Sequence, residues 1–131
     1  MNQINIDLQG WDLYRAAGEN RVDITRALIA RGDRVKAKDD VGWTALHIAA
    51  KHNSLHVATL LIERGAKIKA KDKDGKTVLH HAANENSLEV ATLLIDRGAD
   101  IEAKDKNGWT VLLRAAVDNS LEVATLLIDR G

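Results

Sequence analysis

Apolar positions fall into a pattern that changes twice and then starts again. In residues 42–74 a short apolar cluster runs from Ala45 to Ala50 and breaks at His52-Asn53-Ser54. A second cluster, Leu55 to Ile62, ends at Gly65, and a polar stretch then leads to Gly75. The spacing predicts a first helix of about two turns, a turn, a second helix and a polar arm. Thr44 precedes the first cluster, where its hydroxyl can accept from an orphan N–H of the first turn. Ala49-Ala50 keeps one helix face small, which allows close helix approach. Asn53 suits a left-handed turn residue, Ser54 a cap for the second helix, and Gly65 a left-handed helix end. The second helix is apolar around most of its circumference, as for a helix packed between two others.

The same pattern recurs at 75–107 and 108–131, each block starting 33 residues after the last, and more weakly at 13–41. Seven of the nine glycines lie on two 33-residue combs, Gly42, Gly75, Gly108 and Gly32, Gly65, Gly98, Gly131, so the glycines serve architecture. Asp39, Asp72 and Asp105 each stand three residues before a comb glycine, the signature of a type I turn at the tip of a hairpin. Val35, Ile68 and Ile101 anchor the starts of the arms.

These residues resemble the ankyrin repeat, with its D-x-x-G-x-T-x-L-H-x-A-A run and an apolar second helix closing on Gly-Ala. The resemblance covers roughly residues 11–131. It implies an all-α solenoid of four stacked helix–turn–helix pairs with three projecting β-hairpin loops. It also implies a concave groove, lined by hairpin tips and first helices, that binds other proteins. The expected organisation is a single domain, 1–131, with repeats at about 9–41, 42–74, 75–107 and 108–131. Some positions depart from the family. The proline after the capping threonine is Ala45, Val78 and Val111, and the inter-helix glycine is Asn53, Asn86 and Asn119. The histidine after leucine is kept as His47 and His80 but is Tyr14 in the first copy and Leu113 in the last. The hairpin asparagine is Lys36, Lys69 and Glu102, which removes the residue that ankyrin asparagine hydroxylation modifies.

Composition narrows the function. Net charge is zero, with 19 basic and 19 acidic residues, which argues against a general nucleic-acid binder. There is no cysteine, hence no disulfide framework or thiolate metal site. No apolar run approaches the roughly 20 residues of a membrane span. The first ten residues lack the basic start and apolar core of a signal peptide. A soluble, cytoplasmic chain is expected.

Catalytic and metal chemistry find no footing in the pattern. Ser54, Ser87 and Ser120 repeat at one position, as caps do, whereas a nucleophile would occur once. Asp72 and Asp74 are expected in solvated turns. His52 and His56 are separated by the Asn53-Ser54 break, and His47 and His80 read as buried links between hairpins and helix starts. No enzyme activity, metal or cofactor is expected.

The tips carry the informative residues. Trp43 and Trp109 follow the tip glycines, with Lys76 between them in the equivalent place and Trp11 one residue out of register. Exposed tryptophan favours partner contact; the competing reading lays each indole on the neighbouring hairpin. His81 and Arg114 occupy matching first-helix positions that the resemblance turns towards the groove. Lys38, Lys71 and Lys104 align in a column, either a solvated face or one that steers an acidic partner. The expected ligand is another protein, met by Trp43, Lys76, Trp109, His81 and Arg114. A natural adaptor, an engineered or consensus-like scaffold, and a targeting domain of a larger enzyme or effector all fit this reading. Terminal repeats usually present a polar outer face. The first copy is expected to do so through Arg21, Asp23, Thr25 and Arg26. The last repeats at 120–131 the string of 87–98, so Val117, Leu121 and Ile128 are expected to lie exposed and to pair with a second chain as a homodimer or with further repeats.

Overall fold

A computed structural model of the chain describes residues 6–131; the reading of the first ten residues as no signal peptide falls partly outside them. Eight helices follow in four antiparallel pairs: α1 (Leu13–Gly18) with α2 (Val22–Ala30), α3 (Ala45–Lys51) with α4 (Leu55–Glu63), α5 (Val78–Asn84) with α6 (Leu88–Asp96), and α7 (Val111–Val117) with α8 (Leu121–Arg130). First helices contact first helices of adjacent pairs, and second helices contact second helices. The result is an all-α solenoid with no strand among the described residues, and its stability is a sum over neighbours.

The predicted caps hold for the first helices. Thr44, Thr77 and Thr110 have extended backbones, and their hydroxyls accept from the N–H of His47, His80 and Leu113. His47 and His80 return the bond: each Nδ1 accepts from the backbone N–H of its threonine, at 3.0 and 3.1 Å. Asp12 caps α1 in the first copy, accepting from Arg15 N–H at 2.8 Å. The turn asparagines all take φ near +53° to +56°.

Two expectations are corrected. The serines stand at the starts of α4, α6 and α8 but make no side-chain capping bond. The donor they would satisfy is taken from the preceding repeat. Oδ1 of Asn20, Asn53 and Asn86 accepts from the backbone N–H of Val57, Val90 and Val123, each at 3.1 Å. One asparagine therefore turns its own repeat and caps the next. The second correction is Thr25, which is fully buried with its hydroxyl donating to the Arg21 carbonyl at 2.8 Å. Arg21, Asp23 and Arg26 are exposed, as expected, and Ile6, Leu8 and Trp11 pack against the core, with the Arg15 guanidinium 3.9 Å from the Trp11 ring centre.

The core runs the length of the stack through Leu28, Leu46, Leu61, Leu79, Leu94 and Val123 of the four repeats, all fully buried. Each contributes about 2 kcal/mol through removal from water. The hairpins are minimal. A tip turn closes each, Gly42, Gly75 and Gly108 N–H donating to the Asp39, Asp72 and Asp105 carbonyls at 3.0 Å. Successive tips bond to one another, Lys73 N–H to Val41 O and Lys106 N–H to Asp74 O. This approach explains the tip glycines: a Cβ on Gly75 would stand 2.9 Å from Lys106 N, and one on Gly42 3.0 Å from Asp72 Cα.

Candidate partner-binding surface

Each tip aspartate organises its own hairpin. Asp72 Oδ1 accepts from the N–H groups of Asp74 and Lys76, and Asp105 Oδ1 from those of Asn107 and Trp109. The second oxygen of each faces a residue nine positions later, on the first helix of the next pair. For Asp72 that residue is His81, whose Nε2 donates at 2.9 Å. For Asp105 it is Arg114, whose guanidinium donates from Nε and Nη2 at 3.3 and 3.0 Å. Asp39, facing Ile48 at that spacing, has no such clamp and stays exposed.

Asp72 is therefore not solvated, as expected of a turn, but buried with four donors on its carboxylate. Burial alone would raise its pKa; the His81 hydrogen bond and the backbone N–H groups outweigh that and hold it below the usual carboxylate range. His81 is lowered by burial, against the pull of Asp72, and donates as a neutral imidazole. The same geometry corrects its expected role. At 5% exposure, with its only free ring donor spent on Asp72, His81 is a brace and not a contact surface.

Trp43 reaches across the repeat boundary, its Nε1 donating to Asp72 Oδ2 at 3.1 Å. Its ring meets His81 edge-on at 4.8 Å, and the Lys51 ammonium lies 5.3 Å from the ring centre. The indole thus lies against the neighbouring hairpin, as the competing reading has it, yet remains half-exposed. Arg114 lies over the Trp109 ring at 4.3 Å while clamping Asp105. Lys76 is half-buried between these sites, its side chain in no ion pair among the described residues. Trp43 and the Asp72–His81 pair form one connected cluster, and Trp109 with Arg114 and Asp105 a second. Sequence reasoning missed the two aspartates as organisers. The signal was present as a fixed offset of nine residues between Asp72 and His81 and between Asp105 and Arg114.

His47 and His80 are buried, as expected. Nε2 of His80 donates to the Trp109 carbonyl at 3.0 Å, joining α5 to the third hairpin. Among the described residues His47 Nε2 finds no hydrogen-bond partner, and burial, reinforced by nearby His81, lowers its pKa to about 4. At the end of the stack Val117, Leu121 and Ile128 are 58%, 63% and 65% exposed, and Leu112 and Leu113 are exposed beside them.

Among the described residues no helix is long and apolar enough to cross a membrane. No curated protein matches the chain. The model of one family, described as ankyrin repeats in three copies, matches residues 12–72 and 69–131. Members of that family are generally protein–protein interaction modules and typically non-catalytic. Four helix pairs joined by aspartate–glycine hairpins, together with this match over nearly the whole sequence, make the chain a member of the ankyrin repeat family.

Proposed function

We propose that the chain is a single protein-recognition domain that takes a partner protein across its hairpin tips and first helices. Trp43, Lys76, Trp109 and Arg114 are the contacts, and His81 acts indirectly by fixing Asp72. The observation that carries this reading is the bracing of the tip indoles. Trp43 is tied by its Nε1 to a buried carboxylate, and Trp109 lies under a guanidinium that is itself clamped. A half-exposed aromatic face already held in place loses little entropy on binding, which is what an interface anchor needs. The test compares capture by the wild-type chain with capture by Trp43→Ala/Trp109→Ala. The variant should keep its helical circular dichroism and lose the partners that the wild type retains. Capture of the same partners at unchanged affinity would return both indoles to a purely internal role.

The open end favours a second reading alongside the first. An apolar face at Val117, Leu121 and Ile128 suits a copy of itself, because a two-fold contact buries the same patch on both chains. Head-to-tail stacking would need an apolar face on the first pair, where Arg21, Asp23 and Arg26 are exposed instead.

A further inference from the structure

On the side of the arms that carries the C-termini of α4 and α6 lie two open grooves away from the hairpin tips. The first, of about 450 Å³, has Arg34, Lys36 and Arg64 around a floor of Val35 and Ala37. The second, of about 490 Å³, has Lys38, Lys67, Lys69 and Arg97 around Ile68, Ala66 and Ala70. No acidic residue lines either one. A third groove, between the second and third arms, mixes Lys69, Lys71 and Lys104 with Asp100 and Glu102.

The cations of the first two grooves differ from the paired arginines of this surface. Arg15, Arg21, Arg31 and Arg130 each pair with a nearby carboxylate. None of the seven groove cations forms an ion pair among the described residues. A neutral chain has thus gathered uncompensated positive charge on one stretch, over an aliphatic floor.

We infer that these two grooves dock an acidic, extended segment of a partner protein. Its carboxylates lie among the seven cations, and its aliphatic side chains rest on Val35 and Ile68. Spacing sharpens the motif. Packed helices stand about 8–10 Å apart, so adjacent repeats offer grooves at that interval. In a polyproline-II chain, positions i and i+3 share a face about 9 Å apart, at roughly 3.1 Å per residue. Aliphatic residues at every third position, with acids between, match both grooves at once. No aromatic side chain lines either groove, which leaves nothing for a nucleic-acid base to stack on.

The test is fluorescence anisotropy with a labelled peptide carrying leucine at every third position and glutamate elsewhere. Reversal at the arm base, Lys67→Glu/Lys69→Glu, should weaken binding at least roughly tenfold. The same charge change at the tips, Lys73→Glu/Lys106→Glu, should alter it less than about threefold. A glutamate-only peptide and a thymidine oligomer of equal charge should each bind at least roughly tenfold more weakly. Arm-base reversal without effect would overturn the assignment. So would an equal loss from the tip reversal, which marks diffuse attraction, or equal binding of the glutamate-only peptide or of the thymidine oligomer.

Discussion

Residues 87–98 and 120–131 are the same twelve amino acids in two settings. In both, Val and Leu at the helix centre are buried: Val90 and Leu94 in α6, Val123 and Leu127 in α8. Leu88 and Ile95 are half-covered by the following pair, whereas Leu121 and Ile128 are open. Asn86 caps α8, while Asn119 at the same place makes no such bond. Lys106 crowds Gly75, and nothing stands within 4 Å of a Cβ on Gly108. The local sequence sets which face is apolar; only the neighbour decides whether that face is buried.

The comparison makes pairs of matched substitutions informative. The largest effect is expected in the core. Leu94→Ala, confined on both sides, should cost about 4 kcal/mol in urea unfolding, and Leu127→Ala, free to relax on the open side, about 2 kcal/mol. Equal losses would mean that the last repeat is as confined as the third.

A pH series separates the middle from the end. His47 is held below its ordinary value, to about 4, by burial first and by His81 next. The unfolded chain therefore binds the proton more readily, and stability should be full above about pH 6.5 and fall as the pH drops towards 4, by up to about 3 kcal/mol. Burial likewise lowers His80. The last copy has Leu113 at this position. His47→Leu should flatten the pH dependence of the urea midpoint, and an unchanged slope would assign it to other groups.

Smaller differences report on the joints between repeats. Gly75→Ala and Gly108→Ala share the strain of a positive φ, +75° and +78°. Gly75→Ala also meets Lys106 N and should cost about 2 kcal/mol more in thermal or urea unfolding. Asn53→Ala and Asn119→Ala share the left-handed turn. Asn53→Ala also removes the cap on Val90 and the bond to Glu89, so its loss should exceed that of Asn119→Ala by about 1 kcal/mol. Equal losses within either pair would mean that the joint adds nothing.

Much of this was legible in the sequence because repetition averages out ambiguity. The threonine caps, asparagine turns, glycine helix ends and hairpin turns depend on local backbone geometry, and each was read three or four times over. What escaped depends on the repeat interface. The serines occupy cap positions, but Asn20, Asn53 and Asn86 of the adjacent repeat take the donor that a cap would satisfy. Asp72 was read as solvated because it lies in a turn, yet Trp43 and His81 close over it. Thr25 stands among exposed polar residues in the sequence, yet its hydroxyl turns back to the Arg21 carbonyl and the residue is buried.

The last repeat presents an apolar face at the surface, and sedimentation across a concentration series tests directly whether that face pairs two chains. The wild-type chain should pass from monomer to dimer as concentration rises. Ile128→Lys should remain monomeric at every concentration, with its unfolding free energy within about 0.5 kcal/mol of wild type because the position is exposed. A wild-type chain that stays monomeric throughout, or a dimer that Ile128→Lys leaves intact, would contradict it.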